Sequence, residues 1–168
     1  LHDGFGEESQ EKLLASRALV VGAGGLASTA LLYLASSGVG RITVLDGDTV
    51  DGTNLQRQIA HSQAHIGQPK VVSARERMLS INPELQVDAR PVRAHAALLE
   101  ALVPTADVVL DCSDNFATRQ AVNAACVRHG RPLVSGAAVG FDGPVAVYDI
   151  RRPGAPCHRP PKSCERVY

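Results

Sequence analysis

The stretch that decides the fold is "VVGAGGLAST" (positions 20–29), where three glycines fall between an apolar run and a segment of helical pattern. Glycine lacks a Cβ, so backbone N–H groups at such a turn can approach a phosphate closely, and the helix that follows adds positive potential at its N-terminus. Gly22, Gly24 and Ala27 fit the dinucleotide fingerprint in its G-x-G-x-x-A form, with Gly25 beside them. Asp46 closes the next apolar run, "RITVLD", at about the distance expected of a ribose-binding carboxylate. Taken alone, these residues say NAD, but the need for glycine is shared by all phosphate-bearing ligands of this kind, a nucleoside triphosphate among them, so the motif is only weakly specific.

Outward from the turn, short β-branched runs alternate with segments of helical periodicity. After "ALVVGAGG" the spacing predicts a helix to about 37, then "RITVLD", a helix over about 68–81, "QVDARPV" and a short helix near 96–103. Next come "DVVLDCS", a helix over about 117–129, "PLVSGAAV" and "GPVAVYDI". This alternation predicts an α/β fold, a Rossmann-like doubly wound sheet, mostly parallel, with helices on both faces. The last run follows "GFDG" too closely for a crossover helix and is expected to turn back antiparallel. Residues 1–150 read as one domain and 151–168 as an irregular tail rich in Pro, Arg, Lys and Cys.

Composition narrows the function. A chain of 168 residues that is 45% hydrophobic is long enough to bury one core. Lys and Arg total 17 against 17 for Asp and Glu, so no global field favours nucleic acid or an acidic membrane, and any anion site must be local. No apolar segment reaches the ~20 residues of a membrane span. Four cysteines without an apolar leader predict free thiols in a reducing compartment, the cytoplasm.

Charge separates the two ligand classes. A helix terminus contributes only ~0.3–1 kcal/mol toward an adjacent anion, whereas substitution at a triphosphate calls for cations and a metal. Asn54 and Arg57 in "GTNLQRQ" and Lys70 in "GQPK" are the candidates. A dehydrogenase has no evident use for all three. "LDCSDN" then places Asp111 and Asp114 at the C-terminal end of the fourth parallel strand, the edge where doubly wound sheets bind ligands. Asp114 is the candidate Mg²⁺ ligand, since Mg²⁺ takes one or two carboxylates plus phosphate oxygens and water. Asn115 offers an amide to the nucleotide.

Ordered together, "GAGGLAS", "VLDGDTVDGTNLQRQI", "GQPK", "INP", "DVVLDCSDNFATR", "NAAC" and "PLVSGAAVGFDG" resemble the ubiquitin-activating-enzyme-like adenylyltransferases of the ThiF/MoeB/HesA family. The likeness runs from about Gly4 to Cys157. It implies ATP-dependent adenylation of the C-terminal glycine of a ubiquitin-like sulfur-carrier protein of ThiS or MoaD type, ending in Gly-Gly, for thiamine, molybdopterin or related biosynthesis. It also implies Gly25 under the phosphates, Asp46 on the ribose, Asn54 and Lys70 on the nucleotide phosphates, and Asp114 on Mg²⁺. Arg57 and Asp114 would be catalytic, with the arginine matching Arg57 reaching into the neighbouring subunit of a homodimer.

Two departures from the family pattern stand out. Ala27 replaces the family's glycine, a methyl tolerable where helix packs on strand. The family's zinc half-site, C-Y-R-C, appears as "CHRP", keeping Cys157 and placing Pro160 at the second thiol; His158 and Cys164 do not complete the four ligands zinc needs. Cys164 is the candidate for the family's sulfur-handling cysteine in a crossover loop, which the tail would begin. Plainer readings exist as well. Ser113 and Asp114 are good helix caps, and Cys112 and Cys126 read as small buried hydrophobes. None of the histidines shows metal-ligand spacing. The competing functions are a degenerate, non-catalytic carrier-binding module and an NAD-dependent dehydrogenase.

Overall fold

The computed structural model describes residues 6–138 and 143–151. The sheet has six strands: β1 (Arg17–Val21), β2 (Arg41–Leu45), β3 (Gln86–Arg90), β4 (Val108–Asp111), β5 (Leu133–Gly136) and β6 (Val145–Tyr148). Their order is β3-β2-β1-β4-β5-β6, parallel throughout except for the antiparallel β5–β6 pair. The chain winds outward from β1 to β3, crosses back to β4, and continues to the other edge. The reversal lies between β1 and β4, and the crevice above their C-terminal ends is where this topology places ligands.

The apolar run of β1 is explained by its two faces. Ala18 and Val20 pack with Leu31 and Ala35 of α2 (Gly25–Ser37) and with Val71, Ala74 and Met78 of α3 (Lys70–Ile81). Leu19 and Val21 face Leu99 of α4 (Ala96–Leu102) and Val122, Ala125 and Cys126 of α5 (Phe116–His129). Both sides of the strand are therefore dry, and alternation vanishes from its sequence.

Boundaries follow local chemistry. Helix α2 stops at Gly38, whose φ of 88° is left-handed, with the Val39 N–H returning to the Leu34 carbonyl. Helix α3 starts at Lys70, later than the periodicity suggests. The segment before it is held extended against the loop after β2: Val50 N–H donates to Gln68 O (2.8 Å), Gly67 N–H to Val50 O (2.9 Å) and Lys70 N–H to Asp48 O (2.9 Å). Strand β3 ends at Arg90, before Pro91. A first helix, α1 (Glu7–Ala15), has no fully buried residue and rests on the core through the partly buried Leu13. Among the described residues, no helix is long and apolar enough to cross a membrane. Cys157, His158, Pro160 and Cys164 lie outside the described residues.

Leu31 is fully buried between the sheet and α3. Leu31→Ala is expected to destabilise the fold by about 2–5 kcal/mol in urea unfolding. A cost under about 1 kcal/mol would contradict the packing described.

Candidate functional site

Three loops meet over the β1–β4 switch point, and the glycine turn is wedged between the other two. Gly22 has φ of 104°, and a Cβ there would sit 2.8 Å from the Cys112 carbonyl oxygen, in the loop after β4. On the other side, a Cβ on Gly25 would lie 3.5 Å from the Arg57 carbonyl oxygen and 3.6 Å from its Cγ, and one on Gly24 would lie 3.7 Å from Gln58 Nε2. Gly24 caps α2 with no side-chain hydrogen bond, so the first N–H groups of α2 face the crevice without a side-chain acceptor at the cap.

Asp46 is bound to this turn through its backbone. Its Oδ2 accepts from Ala23 N–H at 2.7 Å and its Oδ1 from Asp48 N–H at 2.8 Å. An ionised carboxylate has about four acceptor positions, so Asp46 holds the turn and retains capacity for hydroxyl donors. Asn54 ends a single 3₁₀ turn at 52–54, and its Oδ1 accepts from Arg57 Nη2 at 2.8 Å. The Arg57 stem lies on Gly25 of its own chain. The segment 52–58 folds back against the start of α2, with the Arg57 guanidinium donating to Asn54 of the same segment.

Lys70 breaks a local rule. It is 7% exposed at the first position of α3, where a cation opposes the helix dipole. Its counter-charge is Asp48, 3.7 Å from Nζ, which also takes Arg93 at 3.1 Å. A buried lysine in so unfavourable a place needs a reason beyond stability.

Across the crevice the two aspartates have separate roles. Asp111 is 1% exposed, with Oδ1 accepting from Ser113 N–H (3.0 Å) and Ser113 Oγ (2.6 Å) and Oδ2 from Ser135 Oγ (3.2 Å). Asp114 is exposed at the rim. The cap of α5 is neither Ser113 nor Asp114 but Asn115, whose Oδ1 accepts from Thr118 N–H at 2.8 Å, because Ser113 is engaged by Asp111. The Asn115 amide nitrogen, a donor, remains for a ligand. Burial foremost pushes the Cys112 and Cys126 thiols up to about 11 and about 12, which disfavours the thiolate form.

Three contributors escaped the sequence reading. Arg119 Nη2 donates to Ser113 O (2.6 Å) and Gly136 O (2.8 Å), lashing the loop after β4 to the end of β5. Gln58 is 4% exposed behind Gly24, and its Oε1 is buried without a partner. His61 is buried between the glycine turn and α3. Arg119 ends the run "DVVLDCSDNFATR", yet nothing there marks its bond to Gly136, and for the other two nothing in the pattern marks a long-range hydrogen bond.

The ThiF family model matches residues 1–166. The chain is 48% identical over 156 residues to the molybdopterin-synthase adenylyltransferase of Escherichia coli K12, covering 93% of this chain and 62% of that protein. It is 45% identical over 147 residues to the sulfur carrier protein ThiS adenylyltransferase of the same organism, covering 88% and 59%. The chain thus spans about three-fifths of the length of these relatives. Among solved structures, the E. coli tRNA N6-threonylcarbamoyladenosine dehydratase in complex with ATP superposes with a TM-score of 0.78 at 32% identity, over 82% of this chain and 58% of that one. E. coli MccB superposes with a TM-score of 0.77 at 28% identity, over 83% and 42%.

Gly22 and Gly67 provide a matched pair, since both have positive φ but only Gly22 has a carbonyl in the way. Gly22→Ala is expected to cost about 1–3 kcal/mol more than Gly67→Ala in urea unfolding. Equal costs would mean the turn is not wedged as described.

Proposed function

The chain belongs to the ThiF family, and we propose that it is an ATP-dependent adenylyltransferase acting on the C-terminal glycine carboxylate of a ubiquitin-like sulfur-carrier protein. A carboxylate is a poor electrophile at its carbonyl. In the proposed reaction a carboxylate oxygen attacks the α-phosphorus of ATP, the bond from that phosphorus to the bridging oxygen breaks, and pyrophosphate leaves with the electron pair. The product is an acyl-adenylate with AMP as leaving group, ready for sulfur transfer. Two anions must meet, so preorganised positive charge is the main catalytic requirement.

The observation that carries this reading is the Arg57 stem lying on Gly25, with Asn54 hydrogen-bonded to its guanidinium. That arrangement brings a cation to the phosphate turn, which a dehydrogenase does not need. Lys70, held against Asp48, is assigned to the phosphates, Asp46 to the ribose hydroxyls through its remaining lone pairs, and the Asn115 amide nitrogen to the nucleotide. Asp114 fits a Mg²⁺ site of one carboxylate completed by phosphate oxygens and water, because Asp111 is consumed by three hydrogen bonds and Asp114 is not buried. Bound there, Mg²⁺ would neutralise charge on the phosphates of ATP.

The names of the relatives favour a protein carrier. Identity to the molybdopterin-synthase and ThiS adenylyltransferases is 48% and 45%, against 32% to the tRNA-modifying dehydratase. The formal net charge of +0 also fits a protein tail better than a polyanion. We assign the protein to the cytoplasm and retain a homodimer, on the family resemblance, with each phosphate crevice drawing its arginine from its own chain.

Asp114→Ala and Arg57→Ala are each expected to lower carrier-dependent ATP–pyrophosphate exchange by at least about 100-fold. Lys70→Ala should chiefly raise the KM for ATP. Mixing the Asp114→Ala and Arg57→Ala proteins should restore no exchange, because both residues serve one site. Exchange recovered in the mixture would place Arg57 in trans, and exchange unaffected by either substitution would refute the proposed reaction.

A further inference from the structure

We propose that His61 is a positioning residue, whose imidazole clamps the Ala23 carbonyl to α3 and so sets the direction in which the glycine turn presents the Gly24 N–H. The nucleotide consequence rests on the function proposed above; the clamp itself does not. His61 is 7% exposed, with Nε2 2.8 Å from Ala23 O and Nδ1 3.0 Å from Ser73 Oγ. A carbonyl only accepts, so Nε2 carries the proton, and Nδ1 of the neutral ring accepts from the Ser73 hydroxyl. Ser73 is itself fully buried in α3. The tautomer is therefore fixed by its two partners.

The geometry has a consequence at the next peptide. The Ala23 carbonyl belongs to the peptide bond linking Ala23 to Gly24, and no peptide bond in the described chain is cis. In a trans peptide the N–H points opposite to the carbonyl. With the carbonyl turned in toward His61, the Gly24 N–H is turned away from it. Asp46 acts likewise on the preceding peptide, accepting the Ala23 N–H at 2.7 Å. Two successive peptide planes are thus locked, one by a carboxylate from β2's end and one by an imidazole that answers to α3.

Lys70, Asp46 and His65 are the charged or titratable groups that bear on His61. Burial foremost pulls its pKa below the ordinary value, outweighing the hydrogen bond to Ala23, so the neutral ring is the native form. The sign follows: a histidine depressed in the folded state binds fewer protons than in the unfolded chain. Stability is then complete above the unfolded value of about 6.5 and falls as pH drops through it toward the lower folded value.

The test uses the whole chain, free and with MgATP. The ¹⁵N spectrum of His61 should show the Nε2–H tautomer near neutral pH. His61→Ala should speed exchange of the Gly22 and Ala23 amides about tenfold or more while leaving those of β3 unchanged, and should raise the Kd for MgATP by about tenfold. His61→Gln, whose Nε2 can donate to the same carbonyl, should recover most of both. Should His61→Ala fail to fold, Ser73→Ala removes only the ring's outer partner and should move both readouts in the same direction by a smaller factor. The Nδ1–H tautomer, or exchange at Gly22 and Ala23 no faster than in wild type, would overturn the clamp. Wild type that binds no MgATP, with turn exchange still responding to His61, would overturn the proposed function and support the clamp.

Discussion

The structure depends on the absence of side-chain atoms at one turn. The loop after β1 is pressed from one side by the carbonyl of Cys112 and from the other by the backbone and stem of Arg57. Any Cβ at Gly22 would push the β4 loop away, whereas Gly24 and Gly25 lie in ordinary contact distance of the 52–58 segment. These glycines do more than make room for a phosphate. They let elements from both sides of the switch point converge, which a doubly wound sheet otherwise keeps apart. The plain reading of the glycines as a tight turn and the sharper one as a ligand cradle are therefore the same fact, since the turn that lets the loops close also exposes the first N–H groups of α2.

Convergence of that kind concentrates charge, and the carboxylates divide the work. Asp46 and Asp111 accept hydrogen bonds from backbone or hydroxyl donors and hold the ends of β2 and β4. Asp48 is the shared counter-ion of Lys70 and Arg93. Asp114, exposed at the rim, is not among these anchors. Asp111 could take a metal only by giving up the hydrogen bonds that position the loop carrying Asp114. The two side chains, three residues apart, differ in burial and in hydrogen bonding.

Much of this was legible in the chain and some was not, for physical reasons. The run "ALVV" announced a strand buried on both faces, and "GPVAVYDI" announced a reversal because no helix fits before it; both reflect short-range patterning that sequence records directly. The start of α3 was misread by two residues because Pro69 looks like a first-turn proline, while the hydrogen bonds that hold Gln68 extended come from Val50, far back in the chain. Helix α1 gives the core one partly buried residue, Leu13, too little for an apolar stripe to mark it. In the site, charged residues near glycines were visible as candidates. The cap at Asn115 was not, because Ser113 looked equally suitable until Asp111 claimed its hydroxyl. His61 was invisible because its partners, Ala23 and Ser73, lie at unrelated distances on either side.

The same residues show why the crevice is preorganised rather than merely polar. Each group assigned to the nucleotide is held at one end by the protein and left open at the other. Asn54 and Asn115 spend Oδ1 on Arg57 and on Thr118 and keep their amide nitrogens. Arg57 spends one nitrogen on Asn54, and Asp46 spends one lone pair of each oxygen on a backbone N–H. A side chain tethered in this way has surrendered its rotamer freedom on folding, so a ligand that meets it does not bear that entropic cost again. In the proposed reaction the charge of a triphosphate would meet donors already aimed, the condition under which electrostatic stabilisation acts on a transition state rather than on reorganising the site.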